Sequence, residues 1–409
     1  MSYRRHVVAT VSSLAFATLC AQSVQAIELP PAPGQLPGQE IAVHHDGAPV
    51  PVPFGPQDYV GYISDISSHP YGIYLDVIGS FGEIRENPDV MSSNLEQVIA
   101  VNNAARNDPA RILRAQVDAR ADRDGVLDPV ADALGPVLAQ HFRAALAENR
   151  LPKTRMLLGG GWFARAGGPA SSTFVEKEIF DNPRPFVVAP DRITKFVAAD
   201  RDFYTTSKSF PSGHTNQATW TTTLLAVMLP EFGPQILARG SESGEHRLVM
   251  GVHYPLDVIG GRMTGTAAAA DRWNDPKMRA NLIAAAAEIR AELEWRCGAS
   301  LSECASVGPA YSADPVGDYT RRMNYGFTPM GDTAAPMIVP QAAPDLLLGA
   351  FPELSYAQRA EILRKTAGPA GMPLDVTGSQ GSWQRLNLAA ALAADVTVTP
   401  EGGVILGGN

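Results

Sequence analysis

Apolar residues along this chain recur mostly at helical spacing, and strand-like alternation is scarce. Behind Asn94, the positions Leu95, Val98, Ile99 and Val101 predict a helix, with Gln97 placed to complete a capping box. Pro109 opens a second helix with Ile112, Leu113 and Val117 on one face, and 137–146 reads as a third. Two later segments, 215–229 and 256–270, are rich in small residues and apolar all round, the pattern of helices in the middle of a bundle. Asp275-Pro276, a capping residue followed by proline at the first helical position, leads into a helix over 278–295. Ser355 and Gln358 cap another that runs to Thr366, and 383–394 reads as a last one. The expected class is all-α: a helical bundle flanked by irregular N- and C-terminal extensions.

The ends carry different signals. Arg4 and Arg5, an apolar stretch from Val7 to Leu19 and small residues at Val24-Gln25-Ala26 read as a secretory signal over 1–26, with cleavage before Ile27. The apolar run is short for a membrane anchor, and Leu19 before Cys20 is too bulky for a typical lipidation site. The mature chain is therefore expected in the periplasm or secreted, with no stable membrane insertion once the signal is removed. Residues 27–93 form a Pro-rich arm and lead-in, 94–296 the helical core and 297–409 a C-terminal extension.

Charge and cysteine content narrow the options further. The chain of 409 residues has a net charge of −9, and loss of the signal makes it more acidic still. That surface excludes nucleic acid as a partner and leaves any anion site dependent on local cations. Cys297 and Cys304, an even pair across a short loop, predict a local disulfide worth about 2–3 kcal/mol. Neither apparent metal motif holds up. His44-His45-Asp46 lacks further ligands, and the stretch 120–131 has Arg120 and Ala131 where a calcium loop needs carboxylates.

Three clusters carry candidate chemistry. Lys177 and Arg184 flank the turn-forming Asp181-Asn182-Pro183, and Arg184 lies between two prolines that stiffen it. A guanidinium held this way offers paired donors to a phosphate, while the lysine adds a point charge. Pro211-Ser212-Gly213-His214 precedes a helix, so Ser212 caps a helix start whose free N–H groups make an anion seat, with His214 in the first turn. Arg247, His253 and Asp257 form the third cluster. A carboxylate four residues after a histidine fixes its tautomer, although such a pair alone is equally a structural contact or half of a metal site.

Together the clusters resemble the signature of the type 2 phosphatidic acid phosphatase (PAP2) superfamily, which includes bacterial class A nonspecific acid phosphatases and vanadium-dependent haloperoxidases. That pattern is Lys, six residues, Arg-Pro; Pro-Ser-Gly-His; then Ser-Arg, five residues, His, three residues, Asp. Here it reads Lys177 to Arg184-Pro185, Pro211 to His214, and Arg247 to Asp257, and the run 209–215 is closest in style to the class A enzymes. The resemblance covers about residues 94–296. It departs at His246, where the family has Ser, and at Lys208, where class A enzymes usually have Gly.

The resemblance implies a metal-independent phosphoric monoester hydrolase acting on a small phosphorylated substrate. His253 would be the nucleophile, Asp257 its orienting carboxylate and His214 the general acid. Lys177, Arg184, Ser212, Gly213 and Arg247 would bind the phosphoryl oxygens. No cofactor is implied, and vanadate is expected to bind as a phosphate mimic. The alternatives are a vanadium-dependent haloperoxidase and a catalytically silent phosphate-binding protein.

Overall fold

The computed structural model describes residues 38–161, 164–198, 202, 204 and 207–407. The expected signal, Cys20, the cleavage position and the first prolines of the arm lie outside them. The described chain is all-α, with one small two-stranded hairpin.

Two helices form the axis of the bundle: α6 (Gly213–Met228) and α8 (Pro255–Asn274). Both are buried on every side over nearly their whole lengths, which is why neither shows a polar stripe. They lie unusually close. A Cβ on Gly261 of α8 would sit 2.5 Å from the Ser212 carbonyl oxygen, so only glycine permits this approach. Because the helices start side by side, the Ser212 amide donates to the Asp257 carbonyl at 2.9 Å.

Around this pair stand α1 (Pro88–Ala105), α2 (Pro109–Asp118), α3 (Pro136–Ala147), α4 (Pro152–Leu158), α5 (Phe174–Phe180), α7 (Gly233–Val249) and α9 (Pro276–Cys297). Helix α9 packs on α3, α4 and α8, while α7 packs on α6, α1 and α2. A Cβ on Gly240 of α7 would meet the Thr222 side chain at 2.3 Å, so α7 also approaches α6 closely. Helix α1 braces two neighbours with buried polar groups. Asn94 Oδ1 accepts from the Leu256 amide at the start of α8, and Asn102 donates to the Thr194 and Val249 carbonyls. The lead-in 58–80 is tied down by charge: Asp65 accepts from Arg165 and Arg272, and Asp271 from Ser68 and Tyr74. Cys297 and Cys304 are joined by a disulfide at the end of α9.

The structure differs from the sequence reading in several places. The helix expected from Asn94 begins at Pro88, capped by Asn87, whose side chain accepts from the Asp89 and Val90 amides. The polar run Ser92-Ser93-Asn94 follows Val90 and Met91 and hides the earlier start, and Asn94 is an interior residue. On α2 the inward face is Ala115 and Asp118, whereas Leu113 and Val117 are exposed. Helix α7 went unread because the run 240–245, with two glycines, two serines and two glutamates, hides its apolar face. The region after Cys304 holds α10 (Pro315–Asn324), capped by Asp314, before the expected α11 (Tyr356–Lys365). The last expected helix is a 3-10 turn over Trp383–Arg385 and a short helix over Leu388–Leu392, followed by β1 (Val396–Val398) and β2 (Val404–Leu406). Among the described residues, no helix is long and apolar enough to cross a membrane.

The Gly261→Ala variant is expected to lose about 1–3 kcal/mol, because the added methyl drives α8 off the Ser212 carbonyl. Gly82→Ala, where an added Cβ meets nothing within 4 Å, is the control. Denaturant unfolding compares the two, and equal stability would rule out the close contact.

Candidate active site

The starts of α6 and α8 converge with α5, the loop after it and the end of α7. The approach to α6 is pinned by an aromatic peg: Phe210 stacks on Phe81 with ring centroids 3.6 Å apart and meets Phe180 edge-on. Ser212 caps α6, its Oγ accepting from the Thr215 amide and hydroxyl. Gly213 opens the helix, half-buried, and His214 follows in the first turn.

Pro255 sets the first position of α8, which places Asp257 in its first turn and His253 just outside it. Asp257 Oδ2 accepts from the Tyr254 amide at 2.9 Å and meets His253 Nδ1 at 3.0 Å. The other imidazole nitrogen, Nε2, lies 3.1 Å from Arg184 Nη1. Arginine only donates, so Nε2 is the acceptor and Nδ1 carries the proton that Asp257 receives. His253 is 1% exposed and Asp257 0%.

Three cations close on this imidazole. Lys177 points inward from α5 and donates from Nζ to the Lys208 and Ser209 carbonyls. Arg184, just before a helical turn at Pro185–Val188, donates to the Ser207 carbonyl and hydroxyl and to the Val252 carbonyl. Arg247, in the last turn of α7, donates from Nη2 to the Ala115 carbonyl and from Nη1 to the Tyr204 hydroxyl. Its buried Nε finds no acceptor among the described residues. His214 Nε2 lies 3.0 Å from the Ala119 carbonyl, which can only accept, so Nδ1 is the nitrogen that gains or loses a proton.

The charge balance explains the acidities. Burial, then the charges of Arg184, Lys177, Arg247 and His214, hold the His253 imidazole well below its ordinary range. Burial and Arg247 do the same to His214. Burial, reinforced by Arg184, depresses Lys177, and burial brings Arg184 down to about 10. Burial raises Asp257 to about 7, against the Tyr254 amide and the two nearest cations. The group therefore disfavours any further positive charge and is built to receive an anion with several oxygens.

All eight residues expected at the site lie on the walls of this one cluster or on the helix starts that form it. The side chains of the two departures from the family pattern turn away from it. His246 turns to Asp118, with Nδ1 2.6 Å from Oδ2, and Lys208 pairs with Asp181. His44 pairs with Asp46 and His45 with Glu148, as in an ordinary polar loop. Tyr204, Ser207 and the carbonyls of Ala115 and Ala119 were not read from the sequence. No motif marks them, because carbonyls are common to every residue and a lone Tyr or Ser has no pattern.

Comparison with known proteins agrees with the geometry. Residues 161–279, which hold all eight site residues expected from the sequence, match the PAP2 superfamily. A non-specific acid phosphatase of Providencia stuartii is 27% identical over 223 residues, 54% of this chain and 85% of that protein. A non-specific acid phosphatase of Salmonella typhimurium is 27% identical over 180 residues, 43% of this chain and 65% of that protein, just under two thirds of its length. An acid phosphatase of Zymomonas mobilis is 30% identical over 113 residues, 28% of this chain and 42% of that protein. Residues 161–279 and the site they build thus match the PAP2 superfamily, and the chain is similar to its non-specific acid phosphatases.

Proposed function

We propose that the protein is an acid phosphatase that hydrolyses small phosphomonoesters through a phosphohistidine on His253, without a metal ion. One observation carries this reading: the His253 imidazole is held between Asp257 on Nδ1 and a cation on Nε2, which leaves Nε2 as a lone-pair donor where three cations converge. The acid phosphatase names of the relatives agree with it.

The phosphoryl oxygens take the places now held by backbone carbonyls around Lys177, Arg184 and Arg247, with the Ser212 hydroxyl and the Gly213 amide adding donors. Nε2 of His253 attacks phosphorus in line as the ester P–O bond breaks. The leaving alkoxide takes a proton from His214 Nδ1. Asp257 steadies the imidazolium that His253 becomes. In the second half, His214 Nδ1 takes a proton from water, the water oxygen attacks phosphorus and the P–N bond breaks. Phosphate leaves and both imidazoles return to their starting state. Charge neutralisation by the cations does the work a bridging metal does elsewhere. We place the enzyme in the periplasm or outside the cell, on the strength of the leader sequence. Orthovanadate is expected to inhibit as a phosphate mimic.

The depressed imidazoles fit this cycle. His253 must be neutral to attack, and in the empty site it is. His214 must be protonated to serve the leaving group, and a bound dianion offsets the cations that keep its proton off. The substrate thus brings its own acid into the correct state.

With p-nitrophenyl phosphate, His253→Ala is expected to abolish both turnover and labelled phosphoenzyme. His214→Ala should still form phosphoenzyme but turn over about 10²–10⁴-fold more slowly on alkyl phosphates. Full activity in chelator accompanies this reading, and phosphoenzyme surviving in His253→Ala discards it. In NMR titrations of the ligand-free protein, both imidazoles should lose their protons below pH 6.5, the usual value. Saturating phosphate, or Arg247→Gln, should move the His214 midpoint upward; a fixed midpoint in both refutes the charge argument.

A further inference from the structure

The last turn of α2 performs three tasks at once. The Ala115 carbonyl receives Arg247 Nη2 at 2.8 Å, and the Ala119 carbonyl, one residue past the helix, receives His214 Nε2 at 3.0 Å. Between them, the Asp118 side chain turns away from the cations and accepts from Arg239 Nη2 at 2.6 Å, Arg239 Nη1 at 3.1 Å and His246 Nδ1 at 2.6 Å. One turn of backbone therefore holds both a phosphate-binding cation and the general acid, and its own position is set by a side chain that α7 grips.

The grip is built like a structural clamp. Asp118, Arg239 and His246 are at most 4% exposed. Arg239 is itself fixed by the Pro129 carbonyl and the Ser243 hydroxyl. Burial pushes the Asp118 carboxyl up, but the Arg239 charge and the His246 bond outweigh it and hold it well below the usual carboxylate range. The carboxylate is thus a full charge taken up by two partners on α7: His246, the residue directly before Arg247, and Arg239, about two turns earlier. Glu242, the other carboxylate near His246, is occupied by Arg114 and Tyr311.

Resting on the phosphatase reading above, we infer that His246 and Asp118 are positioning residues: their contact locks α2 to α7 and so sets the aim of Arg247 and His214 together. His246 stands where the family signature has a serine, whose side chain is shorter than an imidazole and cannot bridge the same gap. The chain reaches this brace by a residue of its own, not by a motif residue.

The test compares His246→Ser, His246→Asn and Asp118→Asn with the parent enzyme on aryl phosphates of graded leaving-group acidity. His246→Ser is expected to lower kcat/KM roughly 10–100-fold, as misplacement of catalytic groups does. Two further readouts should move with it. Inhibition by inorganic phosphate weakens because Arg247 is misaimed, and the rate depends more steeply on leaving-group acidity because His214 is. His246→Asn, whose amide can donate to Asp118, should recover most of both. Asp118→Asn keeps the shape but not the charge, and gives the same two readouts if the serine variant does not fold. Loss of thermal stability with phosphate inhibition and leaving-group slope unchanged would overturn the inference. Failure of the parent enzyme to form phosphoenzyme would instead overturn the functional reading, so the two outcomes are distinct.

Discussion

Three buried or nearly buried cations crowd around the buried Asp257 carboxylate, with the buried Glu176 carboxylate beside Lys177. Such an imbalance is costly unless every donor finds an oxygen. The chain supplies those oxygens almost entirely from backbone: Lys208 and Ser209 for Lys177, Ser207 and Val252 for Arg184, Ala115 for Arg247. The loop carbonyls among them take no helical hydrogen bond, whereas the Ala115 carbonyl also accepts from the Ala119 amide at 3.0 Å. The irregular stretches around the site are therefore functional scaffolding. They offset the charge of the three cations.

The bundle makes this arrangement possible by bringing helix ends together. Helices α6 and α8 start side by side because Gly261 lets them touch, and their shared contact from Ser212 to Asp257 joins the cap of α6 to the carboxylate that holds His253. Helix α7 contributes its last turn and α2 the turn that faces it. No strand or loop of regular geometry would present so many side chains and carbonyls to one point without burying unpaired groups elsewhere.

What the sequence disclosed, and what it hid, follows from where each contact is encoded. Lys177, Arg184, His214, Arg247, His253 and Asp257 were legible because their chemistry depends on side-chain type at fixed local spacing. Helices α6 and α8 were legible because small apolar residues filled them on all sides. Helix α7 was not, since Gly240 and Gly244 serve close packing and Glu242 and Glu245 pair with partners distant in sequence. The inward face of α2 was misread because Leu113 and Val117 look like core, whereas Asp118 is what enters it. The carbonyls of Ala115 and Ala119 carry no signature at all. A sequence reading finds groups that only one residue type can supply and misses those that any residue supplies.

The order in which the chain is made has a bearing on when the site works. Every motif residue has been synthesised by Asp257, but the outer wall of α7 and α8 comes much later. Arg322 on α10 grips Glu245 and the Ala238 carbonyl, and Arg262 on α8 rests on the Gln384 carbonyl. A growing polypeptide thus carries the full set of motif side chains while the helices that hold them still lack their outside support. The outer wall of α7 and α8 is therefore complete only once residues 322 and 384 are in place.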